Sequence, residues 1–169
     1  MHTLRRARSL KDVPPYKPYG PKTFLKILII IITCLGFSTQ VVSHIAFGDD
    51  YTFDYQSRYY LFFGSHLFGM VESIIVLAIF LTGMDNVCGS RRCWEILNLT
   101  VSFLLSILCG VSAGLMIFYC NMLYRNQLYK TSPDYWKWYT DHMIISITCG
   151  FLNSVLFLLD AALHADAFR

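Results

Sequence analysis

Glu72 is the residue of this chain with the most chemistry in it, a carboxylic acid set inside a long run of apolar side chains. It lies about 12 residues into that run, and at about 1.5 Å per helical residue this is roughly 18 Å deep, close to mid-bilayer. A carboxyl at that depth serves either a proton or ion pathway or a polar contact inside a bundle of helices. Both uses have partners in the sequence. His66, His44 and Gln40 descend toward Glu72 in an order that suits a relay, which would make the chain a small transporter or channel subunit. Asn153, about 16 Å deep in the last apolar run, carries the amide placed to hydrogen-bond the carboxyl. Glu72 follows Gly69 by three residues and Ser65 by seven, so it shares their face and points into the bundle. No Lys or Arg is expected at its level, and the carboxyl is read as uncharged. The structural contact is the stronger expectation, because transporters interrupt their helices with midspan Gly or Pro and these runs do not.

Other reactive groups lead to less. Asp160 stands near the end of the last run, level with Asn98, and reads as an interfacial acid within reach of that amide. His164 and Asp166 follow it, but three such residues at a chain end do not make a metal site. Cys88 and Cys93 flank a short loop at a depth that suits S-palmitoylation. Asn98-Leu99-Thr100 matches the glycosylation pattern, yet the topology below places it on the cytoplasmic side, beyond reach of the lumenal transferase. HExxH, GxSxG, CxxC and phosphate-loop patterns are all missing, so no enzyme and no cofactor is expected.

The elements that position these residues are membrane spans. Of the 169 residues 55% are hydrophobic and 15% charged, with a mean hydropathy of +0.46, well outside the range of soluble domains. The expectation is an all-α membrane protein, a four-transmembrane-helix bundle with spans at about 24–47, 60–82, 95–120 and 142–163. A basic, Pro-containing tail (residues 1–23) precedes them and a short tail (164–169) follows. In the first tail Pro15, Pro18 and Pro21 keep the period of a polyproline II helix and read as a stiff lead-in. Ten Lys and Arg fall on the side of the two tails and four on the other, which puts both termini in the cytoplasm. The longer outer loop, Asn121 to Asp141, carries Tyr124, Tyr129, Tyr135, Trp136, Trp138 and Tyr139 and is expected on the membrane surface or on a partner.

Three spans also carry small residues four apart: Ser65, Gly69 and Ser73; Ser102, Ser106, Gly110 and Gly114; Ser146, Gly150 and Ser154. In lipid the hydrophobic effect does not drive helices together, so close backbone approach along such stripes has to do so. The stripes therefore read as packing seams, facing either the other helices of this chain or another chain.

Four spans, two outer loops without a cysteine pair, and a last span closing on Leu158-Leu159-Asp160 resemble the MARVEL-type tetraspans, most of all the small insect septate-junction proteins of the Snakeskin and Pasiflora type. The resemblance implies a non-enzymatic component of occluding cell junctions at the lateral plasma membrane, supporting an epithelial barrier. Its partners would be the lipid bilayer, other junctional membrane proteins and further copies of itself, with no nucleic acid involved. A MAL-like organiser of lipid domains or membrane traffic is the other function within reach of the same likeness.

Overall fold

The computed structural model describes residues 20–47, 53–82, 91–125 and 133–165. They form four helices: α1 (Pro21–Phe47), α2 (Phe53–Thr82), α3 (Arg91–Arg125) and α4 (Pro133–Ala165). Each is long and apolar enough to cross a membrane. Helices are what hydrocarbon demands, because every backbone N–H and C=O there has to be satisfied within its own segment. Pro21 and Pro133 both occupy a first helical position, where the missing N–H costs nothing and the fixed φ suits the turn.

The helices outrun the expected spans. α2 begins at Phe53, so Asp54 and Arg58, read as loop residues, belong to a helix. α4 begins at Pro133 and α3 continues to Arg125, which turns most of the expected aromatic loop into helix. With 35 residues α3 is roughly 52 Å long against a hydrocarbon core of about 30 Å, so the helices tilt or project beyond it. Pro15, Pro18, Cys88, Tyr124, Tyr129, Tyr135 and Asp166 lie outside what can be described at side-chain level.

The order is up, down, up, down. α4 packs most extensively, against α3 and α1, whereas α2 is held less closely between α1 and α3. One core layer joins Tyr55, Tyr59 and Phe62 of α2 to Ala113, Met116 and Tyr119 of α3 and Met143 and Ile147 of α4. Trp136 and Tyr139, expected at the membrane surface or on a partner, pack against this layer, while Trp138 remains exposed. A second layer, nearer the start of α1, joins Leu25, Ile29, Leu105, Cys109 and Phe157. Outward, Ile31, Phe68, Ile75, Leu104, Val111 and Leu159 stay exposed and form the surface that contacts the bilayer.

Candidate functional site

The chemistry of the bundle gathers where α1 and α3 begin and α2 and α4 end. Lys26, on the second turn of α1, is fully buried. Its Nζ donates to both Glu72 oxygens, at 2.8 and 2.9 Å, and stands 2.9 Å from Asp160 Oδ2. Asp160 Oδ2 also accepts the Ser102 hydroxyl at 2.6 Å, and Glu72 Oε2 accepts that of Ser73 at 3.2 Å. One residue thus ties α1 to α2 and α4, and Ser102 ties α4 to α3. A turn nearer the end of the bundle, Lys22 Nζ donates to Glu95 Oε2 at 2.7 Å, and His164 Nε2 lies 3.8 Å from the same oxygen. Two ammonium groups and three carboxylates therefore share one partly dry pocket of the protein.

Two expectations are corrected by this geometry. Glu72 does not meet Asn153; a cation reaches its level, so the reason for reading the carboxyl as uncharged no longer holds. Asn153 Nδ2 instead donates to Thr33 Oγ1 at 3.0 Å. Asp160 is not an interfacial acid beside Asn98. It is fully buried and bonded to Ser102 and Lys26.

A polar ladder explains these pairings. Lys26, Thr33 and Gln40 recur every seven residues on α1, as do Ser146, Asn153 and Asp160 on α4. Seven residues make two helical turns, so each set forms a single stripe. The helices run antiparallel, pairing Lys26 with Asp160 and Thr33 with Asn153, and the same register brings Gln40 level with Ser146. Ser146 Oγ donates to the Gly36 carbonyl at 3.0 Å. The Gln40 amide has no hydrogen-bond partner among the described residues.

The small residues mostly face inward. Ser106 donates to the Ser154 carbonyl at 2.8 Å and Ser154 returns the bond to the Ser106 carbonyl at 2.7 Å, a reciprocal clasp between α3 and α4. Ser65 and Ser112 hydroxyls are 3.1 Å apart across α2 and α3. A Cβ on Gly69 would sit 2.8 Å from Phe157, one on Gly110 2.9 Å from Ser154 Oγ, and one on Gly150 2.9 Å from Phe62. Gly114 differs: it is exposed, with nothing within 4 Å of an added Cβ.

At the opposite end the proposed relay residues are spread over two helices. His44 stacks on Tyr59 with ring centroids 3.9 Å apart, and His66 bonds the Phe62 carbonyl through Nδ1 at 2.8 Å. No group of three or more metal-ligating side chains occurs among the described residues. Cys93 is exposed at the start of α3, Cys109 and Cys149 are buried, and Asn98 is inside α3 and buried.

A family model described as MARVEL, membrane-associating domain, matches residues 17–163, nearly the whole chain. This chain belongs to the MARVEL family. No curated protein and no solved structure matches it. The matched region of this MARVEL domain begins ahead of α1 and closes within α4, so it contains Lys22, Lys26, Glu72, Glu95 and Asp160 together.

Sequence reasoning missed Lys26 and Thr33 as members of the MARVEL bundle's interior, and Lys22 and Glu95 as the half-buried ion pair beside them. The seven-residue repeat of polar types on two helices was the available signal, and it was masked by the more familiar spacing of four.

Proposed function

We propose that this MARVEL protein is a non-enzymatic organiser of septate-type occluding cell junctions, with both termini cytoplasmic, acting at the lateral plasma membrane by association with other junctional membrane proteins and with further copies of itself. The observation that carries this reading is the ionic contact of Lys26 with Glu72 and Asp160. It occupies the deep carboxyl that a transport route needs and holds three helices in one arrangement. What the bundle offers its surroundings is then its apolar outer face, its helix ends and its tails, the features a scaffold uses. Support for the orientation comes from the excess of Lys and Arg on the side of the tails. Support for the junctional setting comes from the likeness to the septate-junction tetraspans, whose closing Leu158-Leu159-Asp160 here ends on the residue bonded to Lys26.

Localisation with depletion tests it. The reading expects tagged protein confined to lateral cell contacts and a barrier that leaks to small tracers when the protein is removed. Vesicular residence with an intact barrier would favour the trafficking role instead. Proton or ion flux into proteoliposomes that Glu72→Gln abolishes would favour transport.

A further inference from the structure

His164 stands on the last turn of α4, its ring fully buried at the end of the bundle where Lys22, Lys26, Glu72, Glu95 and Asp160 meet. Its Nδ1 lies 2.8 Å from the Asp160 carbonyl oxygen. A carbonyl only accepts, so Nδ1 carries a hydrogen and donates it, and in the neutral ring Nε2 is then a bare acceptor. Among the described residues Nε2 has no hydrogen-bond partner, and it faces Glu95 Oε2, a second acceptor, at 3.8 Å. Across the ring Asp160 Oδ1, also buried without a hydrogen-bond partner, is 3.8 Å from Nδ1. A neutral His164 leaves a lone pair turned toward a carboxylate in a dry place. A proton on Nε2 makes both carboxylate contacts attractive.

The charges around the ring call for the same proton. Among the described side chains α1 brings two ammonium groups, Lys22 and Lys26, whereas α2, α3 and α4 each bring one carboxylate, Glu72, Glu95 and Asp160. Phe80 of α2 lies nearly parallel to the ring, with centroids 6.4 Å apart, and adds no charge. Burial opposes a charge on the imidazole, and so do the two ammonium groups. Each ammonium is already compensated, however, Lys22 by Glu95 at 2.7 Å and Lys26 by Glu72 and Asp160 at 2.8 and 2.9 Å. What the ring meets is the one negative charge left in excess, and the C-terminal end of α4 favours a cation in its last turn. We infer that this pocket is a proton-binding site, in which His164 takes up one proton at Nε2 and pairs as imidazolium with Glu95 and Asp160, fastening the end of α4 to α3. Lys22 and Glu95 are part exposed, so the proton comes from the water at this end of the bundle. With both termini cytoplasmic, as proposed above, the contact tightens as the cytoplasm acidifies; the proton site itself stands without that orientation.

The test is nuclear magnetic resonance of the full chain in nanodiscs with isotope-labelled histidine, in which the ring nitrogens report where hydrogen is carried. At about pH 7 both ring nitrogens of His164 are expected to carry hydrogen. Glu95→Gln is expected to lower the proton affinity of the ring by about tenfold, the effect of one opposite charge lost at this distance. Reversible unfolding in mixed micelles gives a second readout. From about pH 8 down to about pH 6, above the ordinary carboxylate range, wild type gains stability relative to His164→Gln and to Glu95→Gln, because the folded chain holds a proton that the unfolded chain releases. Glu95→Gln, at a part-exposed position, preserves the comparison if His164→Gln does not fold. A neutral His164 ring at about pH 7, a proton affinity unchanged by Glu95→Gln, or the same pH dependence of stability in wild type and Glu95→Gln overturns the inference.

Discussion

Lys26 and Asp160, both fully buried and 2.9 Å apart, tie the second turn of the first helix to the last turns of the fourth. With Glu72 on the other side of the ammonium, the contact joins three helices where the hydrophobic effect contributes nothing to their association. Removing Lys26 takes from Glu72 and Asp160 the one cation they share, whereas removing either carboxylate leaves Lys26 bound to the other.

Lys26→Met is therefore expected to destabilise the bundle by about 3–5 kcal/mol, because two buried carboxylates lose their cation. Replacing all three residues together, as Lys26→Met, Glu72→Gln and Asp160→Asn, recovers much of the loss. Reversible unfolding in mixed micelles measures both. A single variant as stable as wild type would show that the pair holds nothing.

The glycines separate by what surrounds them. Gly150→Ala pushes a methyl group to 2.9 Å from Phe62 and 3.0 Å from Ala113, and is expected to cost about 1–3 kcal/mol. Gly114→Ala meets open space and is expected to be neutral or to stabilise the helix by up to about 1 kcal/mol. Thermal unfolding of the two variants should move in opposite directions or, at the least, differ clearly in size.

The Ser106 and Ser154 clasp predicts coupling. Each serine bonds the other's carbonyl, so replacing either with Ala costs about 0.6 kcal/mol, in line with interhelical bonds in membranes. A double-mutant cycle checks whether the two losses are independent. An interaction energy of zero with both losses present assigns two separate bonds, whereas a positive one assigns a single closed contact.

Cys93 is expected to be the acylated cysteine of α3, because it is exposed at the helix start while Cys109 is buried in the core. Acyl-biotin exchange on Cys93→Ser and on Cys88→Ser and Cys93→Ser together reads this out. Undiminished signal in the double variant would place any acyl group elsewhere.

Four spans are legible because hydrocarbon leaves a long apolar run little choice but a helix, and the spacing of Ser106, Gly110, Ser146 and Gly150 marks faces that approach closely. Helix ends were less legible. Phe53 to Tyr59 belong to the second helix in spite of Asp54, Arg58 and two tyrosines, which moves the origin from which the depth of Glu72 is counted. Lys26 was harder still. Its position near the chain's first apolar residues suggests an edge, but a lysine stem spans several ångströms and carries its charge inward to Glu72. Asn153 was matched to Glu72 by depth and bonds Thr33 instead, because depth alone does not say which neighbouring helix a side chain meets. The repeats Lys26, Thr33, Gln40 and Ser146, Asn153, Asp160 contain that missing information, since matching two antiparallel stripes fixes their register.

The central claim is that the seams and the polar ladder bind the helices of one chain to each other. Gly36 provides the most direct measurement, because a Cβ placed there would lie 3.1 Å from the native Cys149 Cβ, near the range that a disulfide bridges. In membranes containing a chain with Gly36→Cys, Cys149 and no other cysteine, mild oxidation is predicted to yield a monomer with an internal α1–α4 crosslink. Crosslinked dimers without that internal bridge, or two thiols that both remain free, would contradict the account.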